Sequence, residues 1–277
     1  MERLQIFWII HLTMLTLFGL EMILVMSIWL RGRVPGLPLT ASPWLKLWAG
    51  LKYLFRLIFS RRLWRMIVAL INDGLIHRKI RRVSRYRWLA HITVFGSFVL
   101  LGLLSTVTGV AVEIFPNLLP ADHILNTNVI SVTLRNVDHP VIAFVNDFFG
   151  LVILFGMALI IYRRYFLKDA QLRTIPADGV IIALLTGIVL TGFVLEILRL
   201  LAHQPFEPTA AWGFIGYPLA LLVRPLNLNW ELWYNAAFWV HFVIPNMLLF
   251  YAPFSRFAHV IMSPVIVTLN SLEEMPA

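Results

Sequence analysis

Residues 177–202 read ADGVIIALLTGIVLTGFVLEILRLLA, an apolar stretch longer than the about 20 helical residues that cross a hydrocarbon core. Four other stretches are similarly long and apolar, at about 4–30, 88–112, 140–162 and 232–254. The whole chain is 60% hydrophobic with a mean hydropathy of +0.81, whereas soluble domains are roughly 45–50% apolar. The sequence therefore predicts an all-α integral membrane protein with five transmembrane helices.

Basic residues predict how these helices are oriented, because Lys and Arg in short loops are retained on the cytoplasmic side. Residues 31–87 hold 14 of the 23 Lys and Arg, whereas the loop at 113–139 holds only Arg135. We expect a multi-pass protein of the cytoplasmic (inner) membrane, organised as a single domain over 1–277, with its N-terminus outside and its C-terminus in the cytoplasm. The net charge of +9 comes mostly from 31–87, which favours contact with anionic lipid headgroups over binding to nucleic acid.

The basic loop at 31–87 contains the segment WLKLWAGLKYLFRLIFSRRLW at 44–64, where apolar and basic residues alternate at near-helical spacing. A basic amphipathic helix with Trp on its apolar face is typical of a helix lying in the membrane interface. The alternative is a face that docks a partner protein. We therefore predict a cytoplasmic amphipathic helical loop between helices one and two.

The chain contains no cysteine. This excludes iron–sulfur clusters ligated by cysteine of this chain, zinc sites built from thiolates, and disulfides. Any iron–sulfur chemistry must therefore belong to a partner.

Histidines at defined depths are the strongest chemical signal. His241 and His259 are 18 residues apart, which is five helical turns, so they leave the same face at two depths. His91 lies one turn inside the cytoplasmic end of helix two, and His259 lies just after the cytoplasmic end of helix five. Neutral imidazole is a common iron ligand, so this matched depth suits the two axial ligands of one haem b. His241, nearer the outer face, would serve a second haem or a quinol; a histidine that only bonds a neighbouring helix is the alternative.

Charged residues within the helices suggest where protons move. Glu196 and Arg199 lie near the outer end of helix four, and Asp147 lies near that of helix three. Glu196 is a possible proton acceptor for a quinol, with Arg199 contacting a haem propionate or a quinone carbonyl; the alternative is a structural ion pair between them at i, i+3. Arg87 and Arg256 would neutralise haem propionates or serve as interfacial anchors.

Several segments resemble a known superfamily. YAPFSRFAHVIMSPV at 251–265, with His241 before it, resembles the last helix of the nitrate reductase gamma subunit, a five-helix cytochrome b. HRKIRRVSRYRWLAH at 77–91, VNDFFGLVILFGMALIIYRRY at 145–165 and LTGFVLEILR at 190–199 are similar to the branch found with heterodisulfide-reductase-like iron–sulfur proteins, including the sulfite-reduction membrane complex.

The resemblance implies ligands for specific positions. His91 and His259 match the ligands of the haem nearer the cytoplasm, and His241 matches one ligand of the outer haem. The usual partner of His241 is replaced by Leu101. The substitutes, in order of preference, are His139, His203 and His11. A protein with one haem, in which His241 and His139 bind quinol, stays open.

The leading hypothesis is a haem b subunit, with one or two haems, that exchanges electrons between menaquinone and a cytoplasmic iron–sulfur subunit of heterodisulfide reductase type. It would be the quinone-reactive part of an oxidoreductase complex, with further membrane or extracytoplasmic subunits possible. The alternatives are the gamma subunit of a molybdenum nitrate-reductase-like complex, a haem-free transporter with an intramembrane proton path, and a plain membrane anchor.

Overall fold

The fold was obtained as a computed structural model, which describes residues 3–31, 37–168, 175–255, 258, 262, 263 and 266. This part of the chain contains helices and no β-strand. The α-helices are α1 Arg3–Trp29, α2 Pro43–Ile58, α3 Leu63–Ala69, α4 Arg78–Val83, α5 Arg85–Gly109, α6 Phe115–Leu118, α7 Ile124–Thr127, α8 Val129–Arg135, α9 Pro140–Ile161, α10 Pro176–Ala202, α11 Gly216–Val223 and α12 Trp230–Tyr251. Short π-helical and 3-10 segments extend several of them.

Five of these helices, with their extensions, are long and apolar enough to cross a membrane, which confirms the predicted all-α fold with five spans. The spans are Gln5–Ile28, Arg85–Leu118, Pro140–Phe166, Pro176–Ala202 and Trp230–Phe254. The second is longer than predicted because a π-helical segment at Val110–Ile114 joins α5 to α6 without a break.

Prolines and capping side chains mark the helix starts. Pro43 and Pro140 each occupy the first turn, where a missing backbone N–H costs nothing. Ser42 caps α2 by accepting a hydrogen bond from the Leu45 N–H at 3.2 Å. The boundaries of α2 and α9 are therefore set by local sequence.

The region between the first two spans is helical, as predicted from its amphipathic pattern. Its helix α2 leaves Trp44, Trp48 and Phe55 more than half exposed. The ammonium group of Lys46 is turned inward, donating to the carbonyl oxygen of Leu39 at 3.2 Å. An exposed row of large apolar side chains on a basic helix suits a lipid interface, and its cytoplasmic placement stays a prediction.

The chain divides into two compact units. The first comprises Met1–Arg85, Ile175–Ile181 and Asn246–Ala277; the second comprises Tyr86–Thr174 and Ile182–Pro245. The first unit contains α1 to α4, and the second contains α5 to α9, α11 and most of α10 and α12. The prediction of one domain over 1–277 stays a prediction.

Two glycines of α9 bring the helices of the second unit together. A Cβ at Gly150 would lie 2.8 Å from Cζ of Phe193 on α10, and one at Gly156 would lie 2.7 Å from Cγ2 of Val94 on α5. The phenol of Tyr86 also donates to the carbonyl oxygen of Leu159 at 2.6 Å. Helix α9 is thus packed between α5 and α10, as small residues allow in membrane helices.

Candidate functional site

His241 on α12 is oriented by α10. Its Nδ1 lies 2.9 Å from Oγ1 of Thr191, while the threonine hydroxyl donates to the carbonyl oxygen of Gly187 at 2.6 Å. Because that hydroxyl proton is used, we assign the N–H to Nδ1 of His241, which donates to the threonine oxygen. The other ring nitrogen, Nε2, then carries a lone pair, the form in which imidazole binds a metal.

The level of His241, meaning its position along the helix axes, follows from two close contacts. A Cβ at Gly192 would lie 3.4 Å from Cε1 of His241, so the backbone of α10 closely approaches the imidazole. The next residue, Phe193, packs on Gly150 of α9. His241 therefore lies at the level of Gly150.

His91 lies at a second level of the same unit. A Cβ at Gly156 would lie 3.1 Å from Cβ of Thr93. Gly156 is six residues beyond Gly150 on α9, and His91 lies two residues before Thr93 on α5. At the rise per residue of an α-helix, these eight residues place the two histidine levels about 12 Å apart along the helices. The ring of His91 stacks on that of Phe95, with centroids 5.6 Å apart and planes 6° apart.

His139 lies at the start of α9, well away from the level of His241. Its Nδ1 accepts a hydrogen bond from the N–H of Val141 at 3.3 Å and so caps the helix. The neighbouring Asp138 is paired with Arg199, which lies eight residues, about 12 Å, beyond Thr191 on α10. The structure therefore does not bring His139 beside His241.

The other two substitute ligands have neighbours of their own. His203 is exposed just beyond α10, its Nδ1 lies 2.9 Å from the carbonyl oxygen of Arg199, and its ring meets Tyr234 edge-on at 5.4 Å. His11 on α1 has Nδ1 3.3 Å from Oδ1 of Asn246. In each histidine, Nδ1 thus lies within hydrogen-bond distance of another group, and that contact orients the ring.

Two of the predicted residues, His259 and Arg256, lie outside the described residues. Arg87 is half-buried in the first turn of α5, four residues before His91. The pairing of His91 with His259 stays a prediction.

The predicted carboxyl groups meet at the end of the helices where α9 begins, which is the predicted outer end. Asp147 is completely buried, and its Oδ2 accepts a hydrogen bond from the N–H of Ile215 at 2.6 Å. Glu196 on α10 lies at the same place, because a Cβ at Gly213 would be 2.6 Å from its Oε1 and 3.8 Å from Oδ2 of Asp147. Sequence reasoning named both residues separately, but only the fold brings them together.

Arg199 takes a different partner from the one suggested by its spacing to Glu196. Its guanidinium donates to both carboxylate oxygens of Asp138, NH1 to Oδ2 at 3.0 Å and NH2 to Oδ1 at 2.6 Å. This bidentate geometry is the strongest form of the Arg–carboxylate contact. Arg199 therefore ties α10 to the residue before the cap of α9.

Sequence reasoning missed the turn Gly213–Gly216, which covers the two carboxyl groups. A Cβ at Gly213 would lie 2.6 Å from Oε1 of Glu196, and one at Gly216 would lie 2.6 Å from its Oε2. Two glycines three residues apart, between Trp212 and Tyr217, were the available signal. A side chain at either position would displace the carboxyl group of Glu196.

The surroundings of His241 fit an axial ligand of a haem. Within the described residues, no group of three His, Cys, Asp or Glu side chains could hold a metal ion. A haem iron, however, needs only axial protein ligands. The Nε2 atom of His241 suits one such axial ligand. The glycine backbone beside its ring suits the approach of a flat macrocycle.

Comparison with known proteins identifies the family. The HdrE family, the E subunits of dihydromethanophenazine:CoB--CoM heterodisulfide reductase, matches residues 67–267. The chain belongs to this family. The HdrE protein of Methanosarcina barkeri is 24% identical to it over 205 residues, which cover 73% of this chain and 65% of that protein. That of Methanosarcina thermophila is 25% identical over 206 residues, with the same two coverages of 73% and 65%.

A relative from another genus matches a shorter segment. The EtfAB:quinone oxidoreductase of Syntrophomonas wolfei subsp. wolfei is 30% identical over 141 residues, which cover 47% of this chain and 20% of that protein. The chain thus spans a fifth of this relative and just under two thirds of the two Methanosarcina proteins. No solved structure matches the chain.

Membership of the HdrE family agrees with the predicted heterodisulfide-reductase-like branch. The five apolar spans of this family member indicate a multi-pass membrane protein. The wider resemblance to the nitrate reductase gamma subunit stays a prediction.

Proposed function

We propose that this chain is a haem b subunit that exchanges electrons between menaquinol and a cytoplasmic iron–sulfur partner of heterodisulfide reductase type. The observation that supports it best is the fixed imidazole of His241, with its Nε2 lone pair, about 12 Å from the level of His91 in the same helical unit. Two histidine levels at this spacing suit a relay of electrons across the membrane. The absence of cysteine assigns the iron–sulfur chemistry to the partner.

The proposal assigns a role to each of the candidate residues. His91 and His259 would hold the iron of an inner haem, and Arg87 and Arg256 would neutralise its propionates. His241 would hold the iron of an outer haem or, in a protein with one haem, would bind the quinol. The haem supplies one-electron transfer when bound. Thr191 fixes the tautomer of His241, as the outer partners of ligating histidines do.

The family favours this function over the alternatives. The relatives are named for a heterodisulfide reductase and a quinone oxidoreductase, and both names describe electron transfer. A molybdenum nitrate-reductase partner, a transporter and a plain anchor lack this support. The cytoplasmic membrane and the menaquinone type of the quinol belong to the proposal.

The test is the reduced-minus-oxidised visible spectrum of the purified chain, with a pyridine-haemochrome count per polypeptide. We expect one or two haems b in the wild type, loss of haem from His91→Ala, and loss of haem or of quinol-driven reduction from His241→Ala. The control is His123→Ala, which alters a histidine that caps α7. A folded wild-type chain without haem, or unchanged haem and unchanged quinol-driven reduction in both variants, would overturn the proposal.

A further inference from the structure

The close placement of Asp147 and Glu196 favours a shared proton. Asp147 accepts one hydrogen bond at Oδ2 from the N–H of Ile215, and its Oδ1 is buried with no N–H or O–H donor among the described residues. The carboxyl of Glu196 is its neighbour, since a Cβ at Gly213 would lie 2.6 Å from Oε1 of Glu196 and 3.8 Å from Oδ2 of Asp147. Two ionised carboxylates offer only acceptors and repel each other, so this placement is favourable when one group carries a proton.

The geometry indicates which carboxyl group carries the proton. The backbone N–H of Ile215 donates to Asp147, which stabilises a negative charge on that group. The Glu196 side chain is half-buried, and no backbone donor to it is found among the described residues. Asp147 is therefore the acceptor and Glu196 the donor within the pair.

The turn at Gly213–Gly216 holds this arrangement. Both glycines face the Glu196 carboxyl at distances that exclude a Cβ, while the peptide of Ile215 between them binds Asp147. The turn thus positions both groups.

Three aromatic rings lie next to the pair. Phe144 and Phe148, which flank Asp147 on α9, stack with centroids 5.7 Å apart and planes 12° apart. Phe214 of the turn packs against Phe144 at 5.6 Å. All three rings are more than a third exposed, although Asp147 beside them is fully buried. Together they form an exposed aromatic surface that suits a flat lipid-soluble ring.

The pair also lies close to the level of His241. Glu196 is five residues beyond Thr191 on α10, which is about 8 Å along the helix. A carrier that binds at the aromatic surface would therefore lie near both the pair and the level of the fixed histidine.

We propose that the Asp147–Glu196 pair is the proton acceptor for a quinol that reaches it from the bilayer over Phe144, Phe148 and Phe214. This inference rests on the proposed function and deepens it. A quinol loses two hydrogens as two protons and two electrons, and becomes a quinone. The electrons would be accepted one at a time by the ferric haem of the proposed function. Each proton leaves a quinol hydroxyl for the pair, which already holds one, and passes to outer water before the next arrives.

The decisive variants preserve the shape of the site. Glu196→Gln still donates a hydrogen bond to Asp147 but cannot exchange a proton, and Asp147→Asn removes the accepting carboxylate. Glu207→Gln is the control, since Glu207 is an exposed carboxyl at the same end of the helices. Purified holoprotein of each variant is reduced by a short-chain menaquinol in a stopped-flow instrument, and separately by dithionite.

We expect Glu196→Gln and Asp147→Asn to slow haem reduction by menaquinol about 100-fold, which is within the range of general acid–base catalysis. Reduction by dithionite and the haem content should equal those of the wild type and of Glu207→Gln. A menaquinol rate in both variants equal to that of the control would overturn the inference and leave the proposed function standing. A wild-type chain without haem would overturn the proposed function and, with it, the quinol role.

Infrared spectroscopy tests the shared proton independently of activity. The wild type should show a carboxylic-acid C=O band that shifts in D₂O and is absent from Glu196→Gln but retained in Glu207→Gln. The same band in wild type and Glu196→Gln would contradict the assignment of the proton to Glu196.

Discussion

At the scale of single residues, chemical types were readable from the sequence but their partners were not. His241 was recognised by its phase with His259, whereas Thr191, its hydrogen-bond partner, lies 50 residues away in sequence. Similarly, Arg199 was placed beside Glu196 by helical spacing, but it binds Asp138, 61 residues away. Local spacing shows which residues share a helix face and gives no information about the neighbouring helix.

The Thr191 hydrogen bond predicts a shift of redox potential. Thr191→Val removes the acceptor for the Nδ1–H of His241 and leaves the side-chain shape nearly unchanged. A hydrogen bond to this N–H makes the imidazole a more basic ligand and favours ferric iron. We therefore expect the variant to keep its haem and to show a higher midpoint potential, measured by spectroelectrochemical titration.

The matched control is Thr106→Val, because the hydroxyl of Thr106 makes the same kind of bond to the residue four before it, Gly102, at 2.8 Å. It should leave the midpoint potential unchanged. Equal potentials in both variants and the wild type would contradict the role given to Thr191.

At the scale of helices, length and hydropathy predicted the spans but did not show which glycines set their packing. A Cβ at Gly192 would be 3.4 Å from Cε1 of His241. At Gly102, by contrast, nothing lies within 4 Å of the Cβ position. Which glycine faces a neighbouring helix depends on helix rotation, which periodicity alone leaves open in a helix apolar on all sides.

The same glycine-to-alanine substitution should change the stability of the protein differently at Gly156 and at Gly102. Gly156→Ala puts a methyl group 2.7 Å from Val94 and should destabilise the protein by about 1–3 kcal/mol. Gly102→Ala enters open space and should be neutral or slightly stabilising, since Ala favours a helix. Thermal denaturation in detergent, followed by gel filtration of the remaining monodisperse protein, measures both. Equal midpoints would show that α5 and α9 do not pack as described.

At the scale of the whole molecule, the predicted orientation rests on charge alone. The positively charged segment 31–87 is predicted to face the cytoplasm, and the loops before α9 and α12 to face outward. Because the chain has no cysteine, each introduced cysteine would be the single reactive thiol.

Thiol labelling in intact cells tests this orientation. Glu207→Cys and Arg62→Cys both place a thiol at an exposed position. We expect a membrane-impermeant maleimide to label Glu207→Cys directly and Arg62→Cys only after permeabilisation. The reverse pattern would invert the topology and place the Asp147–Glu196 pair at the cytoplasmic end.

The sequence by itself determined that this is an all-α protein with five membrane spans, because crossing a bilayer requires an apolar helix of fixed length, a property of each segment alone. It also singled out His241, Asp147 and Glu196, since polar groups are rare in such segments. Only the tertiary structure decided that Asp147 meets Glu196 beneath the glycine turn and that Thr191 orients His241. Those contacts join residues far apart in the chain, and they depend on how the helices are rotated against each other.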